Sequence, residues 1–321
     1  MRRIFTDNLS GHRLQLAKLD AGGKRLAVLD RRGATAPPVA VYESTAGIWR
    51  RVPSPEFEEL PLSLAFSPDG SRVIVSTERR LWKFDVGTQK VEECLPSGGA
   101  GASELEWFED ERVAAAYPEH WPPADVLSLR ERGVLPLAPP LREVAKHIPR
   151  LAVSHDLATI AFCHAFEFVF LFDTRSGNAT RWGDAPRLTT SNAPENAPWE
   201  WTHFARRIWF SADDTEIAVA SHPRGQDEWE HMGIRIGMRD GSRQRLLPVK
   251  SHMGSVDFTP DFDVVAAAVI GQPGDVALWE TRTNGVREVI HMGVPTRDIR
   301  FSGDGRLLVI TCEESLAIFE R

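Results

Sequence analysis

Short apolar runs, each closed by a tight polar turn, recur along the whole chain. Leu64-Ala65-Phe66 is followed by Ser67-Pro68-Asp69-Gly70 and then by the apolar run Val73-Ile74-Val75. Variants begin at Ile299-Arg300-Phe301, Val256-Asp257-Phe258, Ile208-Trp209-Phe210 and Leu151-Ala152-Val153, with weaker copies at Leu105-Glu106-Trp107 and Ala17-Lys18-Leu19. Taking Leu19, Phe66, Trp107, Val153, Phe210, Phe258 and Phe301 as anchors gives seven units about 47 residues long on average. Most units continue with a third apolar run ending in an aromatic and an acid, as in Leu81-Trp82-Lys83-Phe84-Asp85 and Val276-Ala277-Leu278-Trp279-Glu280. A Gly-containing turn and a fourth run follow, at Gly47, Gly87, Gly177 and Gly285. Runs of this length, separated by turn formers, predict short antiparallel strands.

Four such strands per unit describe a propeller blade, so the expected fold is all-β: a seven-bladed β-propeller of four-stranded antiparallel blades. The last unit stops after its third strand, Leu316-Ala317-Ile318-Phe319, which would leave an open edge. Arg2-Arg3-Ile4-Phe5 supplies the missing strand, so the N-terminal segment is expected to close the last blade. The 321 residues then form a single domain, 1–321, instead of the two that length alone suggests.

Composition narrows the partner. With 38 basic and 45 acidic residues the net charge is −7, a poor match for a phosphate backbone, so no nucleic acid is expected. The 24 Gly and 22 Pro are accounted for by repeated turns. Cys94, Cys163 and Cys312 show no ligand spacing, which speaks against a disulfide framework or zinc site. Cys163 falls in the small-residue slot of a second strand, like Ser76 and Thr311, and reads as a buried thiol. The basic N-terminus lacks an apolar stretch and the run from Leu157 to Phe172 is interrupted by His164 and Glu167, so no membrane association and a cytoplasmic location are expected.

The repeats resemble those of the WD-repeat β-propeller family over essentially the whole chain. The Ser67-Pro68-Asp69-Gly70 turn, the strand ends Phe84-Asp85 and Trp279-Glu280, and the pair Gly11-His12 carry the resemblance. The copies are degenerate: Trp-Asp never occurs, unit 5 ends its third strand at Ile236-Gly237, and unit 3 reads Leu127-Ser128-Leu129. The resemblance implies that His12, His147, His203, His252 and His291, each shortly before an anchor, hydrogen-bond a strand Ser or Thr and brace their blades. A metal or acid–base cluster of these histidines is the competing reading.

The irregularities point to function. Turns on one face of the ring stay short, whereas the other face carries insertions at Arg31–Pro38, Pro118–Asp125, Leu137–Pro149, Gly183–Ala205 and His222–Met232. Loops positioned by a rigid scaffold are where binding groups concentrate. Three of these insertions hold His120 and Trp121; Trp199, Glu200 and Trp201; and Asp227, Glu228, Trp229 and His231. Trp among polar neighbours suits a binding hot spot, although these rings could equally pack the long loops onto the rim. The expected function is a non-catalytic, monomeric protein-interaction scaffold, in one form an inhibitory or immunity-type protein, whose acidic contact surface favours a partner with a basic patch. No cofactor and no metal are expected. The Gly-rich run from Ser97 to Ser103 has Glu104 where a third nucleotide-binding Gly would stand, and reads as a flexible link. The alternative is a propeller hydrolase acting on a glycoside or lactone. In that reading Glu119, Glu200, Asp227, Glu228 and Glu230 supply an acid and a base, or hold a metal with His120 and His231.

Overall fold

The computed structural model describes residues 1–9, 14–30, 39–53, 57, 59–95, 101–102, 104–107, 111–116, 124–130, 133–135, 150–156, 158–163, 169–173, 176, 178–182, 204–222, 233–247, 249, 251–269, 272 and 274–321. Among these residues there are twenty-eight strands, β1–β28 in chain order, arranged as seven four-stranded antiparallel sheets. Six sheets use consecutive strands; the seventh pairs β1 (Arg2–Asn8) with β28 (Ser315–Glu320), followed inward by β27 (Leu307–Cys312) and β26 (Thr296–Phe301). The protein is a seven-bladed β-propeller whose last blade is completed by the first strand of the chain.

Each anchor residue is the last residue of the first strand of its blade. These strands are β2 (Leu14–Leu19), β6 (Pro61–Phe66), β10 (Glu104–Trp107), β14 (Arg150–Val153), β18 (Phe204–Phe210), β22 (Ser251–Phe258) and β26. They touch one another in sequence, β26 against β2 as well, and so form a closed inner ring. Side chains alternate between the two faces of a strand. Phe66, at the anchor, packs back with Leu64 onto Val39 and Val41 of blade 1. Ala65, one residue earlier, faces forward onto Leu105, Trp107 and Val113 of blade 3. Equivalent apolar clusters fill the interfaces between blades 4 and 5, 5 and 6, 6 and 7, and 7 and 1.

In five blades the turn after the anchor is built on one hydrogen-bond pattern. Ser67 Oγ donates to Asp69 Oδ1 (2.6 Å) and accepts from Arg72 N (2.9 Å), while Asp69 Oδ1 accepts from Ser71 N (3.0 Å). The same hydroxyl–carboxylate contact recurs as Ser154–Asp156, Ser211–Asp213, Thr259–Asp261 and Ser302–Asp304, all at 2.6–2.7 Å. In blade 1 Asp20 replaces the hydroxyl residue and accepts from Lys24 N and Arg25 N directly. Among the described residues, the one four past the anchor takes positive φ: Gly23, Gly70 and Gly305, but also Glu111 (56°), Asp214 (57°) and Phe262 (56°). Here the turn approaches the preceding blade. A Cβ on Gly70 would lie 2.5 Å from Asp20 Oδ2, whereas Asp214 uses its side chain to accept His155 N (2.8 Å) and Asp156 N (2.7 Å).

The closing strand is held along its length, from Arg2↔Glu320 to Asn8↔Ser315. Tyr42 of blade 1 donates its hydroxyl to Asp7 Oδ2 (2.8 Å) and meets Phe5 edge-on, so β1 also leans on the neighbouring blade. Burial and that bond push the Tyr42 phenol above its ordinary range. The structure shows the surroundings of two degenerate features. Gly237, next to last in the third strand of blade 5 (Gly233–Met238), stands where a Cβ would come within 2.8 Å of Gln244 Cγ and 3.2 Å of the Trp182 ring. Among the described residues the exposed His291 ring meets the Asp275 carboxylate at 2.8 Å, and not a strand hydroxyl. His12, His147 and His203, and the side chains of His252 and Cys163, lie outside the described residues.

Candidate functional site

The two ends of the ring differ in the length of their connections. Between the first and second strands of the blades the connections are 20–24, 67–71, 108–111, 154–158, 211–215, 259–263 and 302–306. At the opposite end they are 31–38, 117–123 and 223–232 within blades 1, 3 and 5, and 96–103, 136–149 and 182–203 between blades. Blades 6 and 7 keep that end short, at 270–274 and 313–314.

All nine residues expected to contact a partner fall on this elaborated end and outside the described residues: His120 and Trp121 in 117–123, Trp199, Glu200 and Trp201 in 182–203, and Asp227, Glu228, Trp229 and His231 in 223–232. The points where those segments join the blades are described. Phe204, where 182–203 enters blade 5, pairs directly with His222, where 223–232 leaves it, and Ser221 pairs with Gly233 on its return. The segments bearing Trp199–Trp201 and Asp227–His231 therefore share one root on adjacent strand ends. The root of 117–123, between Ala116 and its partner Ala124, belongs to blade 3, two blades away. The other end of 182–203 is staked by Trp182, 2% exposed, whose indole N–H donates to the Met238 carbonyl (2.8 Å) beneath the Arg235 guanidinium.

A second cluster, on the inner ring, has no counterpart in the sequence reading. One residue before each anchor the ring carries Lys18, Ala65, Glu106, Ala152, Trp209, Asp257 and Arg300, one per blade. Space for the larger ones comes from the second strand: Lys18, Glu106, Trp209 and Asp257 each pair with an Ala, whereas Ala65 pairs with Ile74. Lys18 reaches past Ala65 to Glu106, 3.6 Å away, linking blade 1 to blade 3. Arg207 of blade 5 stacks on Trp209 and lies 3.6 Å from Asp257 of blade 6 and 3.9 Å from Asp298 of blade 7. Contacts between non-adjacent blades require these side chains to project toward the ring axis.

The two carboxylates also bind main chain across blade boundaries. Asp257 accepts the Trp209 indole N–H (2.6 Å) and Phe301 N (2.7 Å); Asp298 accepts Ala17 N (3.0 Å) and Arg300 Nε (2.9 Å). Both are strongly desolvated, which disfavours the charged form. Burial pushes the Asp298 carboxyl up to about 7, with Arg207 and the Ala17 N–H pulling the other way and the Asp257 charge adding to the rise. Burial raises Asp257 as well, opposed by Arg207. The aligned repeat does carry a signal for this cluster, since charged residues replace alanine just before several anchors. Its partners are too distant in sequence to be read there.

No family model and no curated protein matches the chain. Among solved structures, the chain resembles Kuenenia stuttgartiensis hydrazine synthase with a TM-score of 0.71 and 13% identity, over 98% of this chain and 97% of that one. It resembles the β-propeller domain of Myceliophteria thermophila Cps50 (Swd1) with a TM-score of 0.69 and 13% identity, over 99% and 100% of the two chains. At that identity the likeness is one of fold. It agrees with the ring of seven blades and says nothing of chemistry.

Proposed function

We propose that the protein is a non-catalytic interaction scaffold of the WD-repeat-like kind, working as a monomer that holds a protein partner on the elaborated end of the ring. The observation that carries this reading is the shared root at Phe204 and His222, from which two Trp- and acid-bearing segments leave one blade. A rigid strand pair at that root is a suitable platform for two loops acting as one surface. Trp199, Trp201 and Trp229 supply apolar contact area, and Glu200, Asp227, Glu228 and Glu230 favour a basic partner by complementarity. Blade 3 adds His120 and Trp121 in its second-to-third connection, and His231 completes the blade 5 set. Occlusion of an enzyme or toxin by such a surface is one form this function takes.

The test is affinity capture from the native host with the wild type and with Trp199→Ala/Trp201→Ala/Trp229→Ala. The partner is expected to be lost from the triple variant while its circular dichroism and melting curve stay unchanged. Glu200→Gln/Asp227→Asn/Glu228→Gln is expected to weaken capture less, and mainly at low salt, where rim charges act over a longer range. A triple-Trp variant that captures the same proteins in the same amounts sinks the assignment.

A further inference from the structure

The charged cluster on the inner ring runs from blade 5 to blade 1, across the seam where the last blade meets the first. Asp298 has 3% and Asp257 10% of its side chain exposed. Arg207 stands between them, Nη1 3.9 Å from Asp298 and Nη2 3.6 Å from Asp257, both beyond hydrogen-bond length, while Nη1 donates to the Val256 carbonyl at 2.7 Å. Two buried carboxylates thus share one guanidinium at distances longer than a hydrogen bond. Around Asp298 the other groups are Arg300 on its own strand, Lys18 on β2, which is itself 3.6 Å from Glu106, Asp257 on β22, and on β27 the uncharged Thr311. Arg300 is the one cation hydrogen-bonded to Asp298 among the described residues. Two like charges in one dry site are relieved when one of them keeps a proton.

We propose that this cluster holds one proton in the closed ring, on Asp298, and that releasing it loosens the contact between the last and first blades, making closure of the propeller sensitive to pH. The link runs through the Ala17 N–H, which the Asp298 carboxyl accepts across the blade 7–blade 1 boundary, 281 residues apart in sequence. A protonated carboxyl still accepts that N–H through its unprotonated oxygen. An ionised one in the same place adds a second buried negative charge beside Asp257. The sign follows from linkage. Where the native ring binds a proton that the unfolded chain has released, stability falls as pH rises, by up to tenfold in the unfolding equilibrium per pH unit for one proton.

The experiment uses the full chain, with side-chain carboxyl 13C resonances followed from pH 3 to 9 and denaturant unfolding compared at pH 5 and 7. The Asp298 resonance is expected to titrate in the neutral region. The unfolding constant of the wild type is expected to rise several-fold more between those pH values than that of Asp298→Asn. Exchange of the Ala17 amide, corrected for its intrinsic rate, is expected to speed up over the same interval. A 13C transition below pH 5 overturns the proposal, and so does an Asp298→Asn variant with the same pH dependence as the wild type. If that variant does not fold, the wild-type titration and the Ala17 exchange decide alone: a carboxyl titrating below pH 5, or an exchange rate unmoved by pH, refutes it.

Discussion

At the scale of single residues, the repeated turn shows how one hydroxyl and one carboxylate fix a backbone. The Ser67 hydroxyl and then the Ser71 N–H and hydroxyl hold the Asp69 carboxyl down at about 2. A carboxylate stabilised in this way contributes above its unfolded value near 4 and loses that contribution as pH falls through about 2. Asp69→Asn is therefore expected to cost about 1 kcal/mol at pH 7 and little at pH 2, a difference that urea unfolding at the two pH values measures. The sign is opposite to that at Asp298, whose raised carboxyl gives its stabilisation at low pH and loses it toward neutrality. Glycine in the same turn offers a steric comparison. Gly70 and Gly293 have similar positive φ, 70° and 74°, but a Cβ on Gly70 would strike Asp20 and one on Gly293 would meet nothing within 4 Å. Gly293→Ala is expected to cost about 1 kcal/mol from the backbone alone, and Gly70→Ala more, read as a larger drop in melting temperature. Equal drops would mean that Asp20 moves aside freely.

Among elements, β1 is the one whose loss reopens the ring. Deleting residues 1–7 removes nearly all of the ladder on β28 and the Tyr42–Asp7 bond, and leaves β28 as an exposed edge. Its melting temperature is expected to fall far more than trimming an ordinary terminus causes; an unmoved melt rules out the closure argument. This closure was legible in the chain because the last unit visibly lacks a fourth run while Arg2–Phe5 reads as one. The anchors were legible for a similar reason: Phe66, Phe258 and Phe301 end an apolar run just before a turn, and each ends an innermost strand. The axial cluster was not. Lys18, Glu106, Trp209 and Arg300 occupy one register but share no residue type, and their meaning depends on which blades stand beside them. Gly237 departs from the repeat at a place where a Cβ would crowd Gln244 Cγ and the Trp182 ring, neighbours the sequence does not reveal. For the residues proposed to bind a partner, sequence supplies the chemistry, and the strands supply only the common root at Phe204 and His222.

For the whole molecule, the inner ring and the outer connections divide the work. Apolar clusters between successive blades are built mainly of strand residues, so one end can lengthen its loops at little cost to the fold. Variants of Trp199, Trp201 and Trp229 are accordingly expected to alter capture and not melting, while Asp298→Asn alters the pH dependence of melting and not capture. The seam has a mechanical consequence as well. Arg2 lies opposite Glu320 at one end of the antiparallel β1–β28 ladder and Asn8 opposite Ser315 at the other. A force applied across residues 2 and 320 would load the ladder at its first rung and peel it open one pair at a time. A force applied between residues 8 and 320 would instead shear all the rungs together. The same hydrogen bonds that close the ring should therefore yield at low force when tugged from the two chain ends.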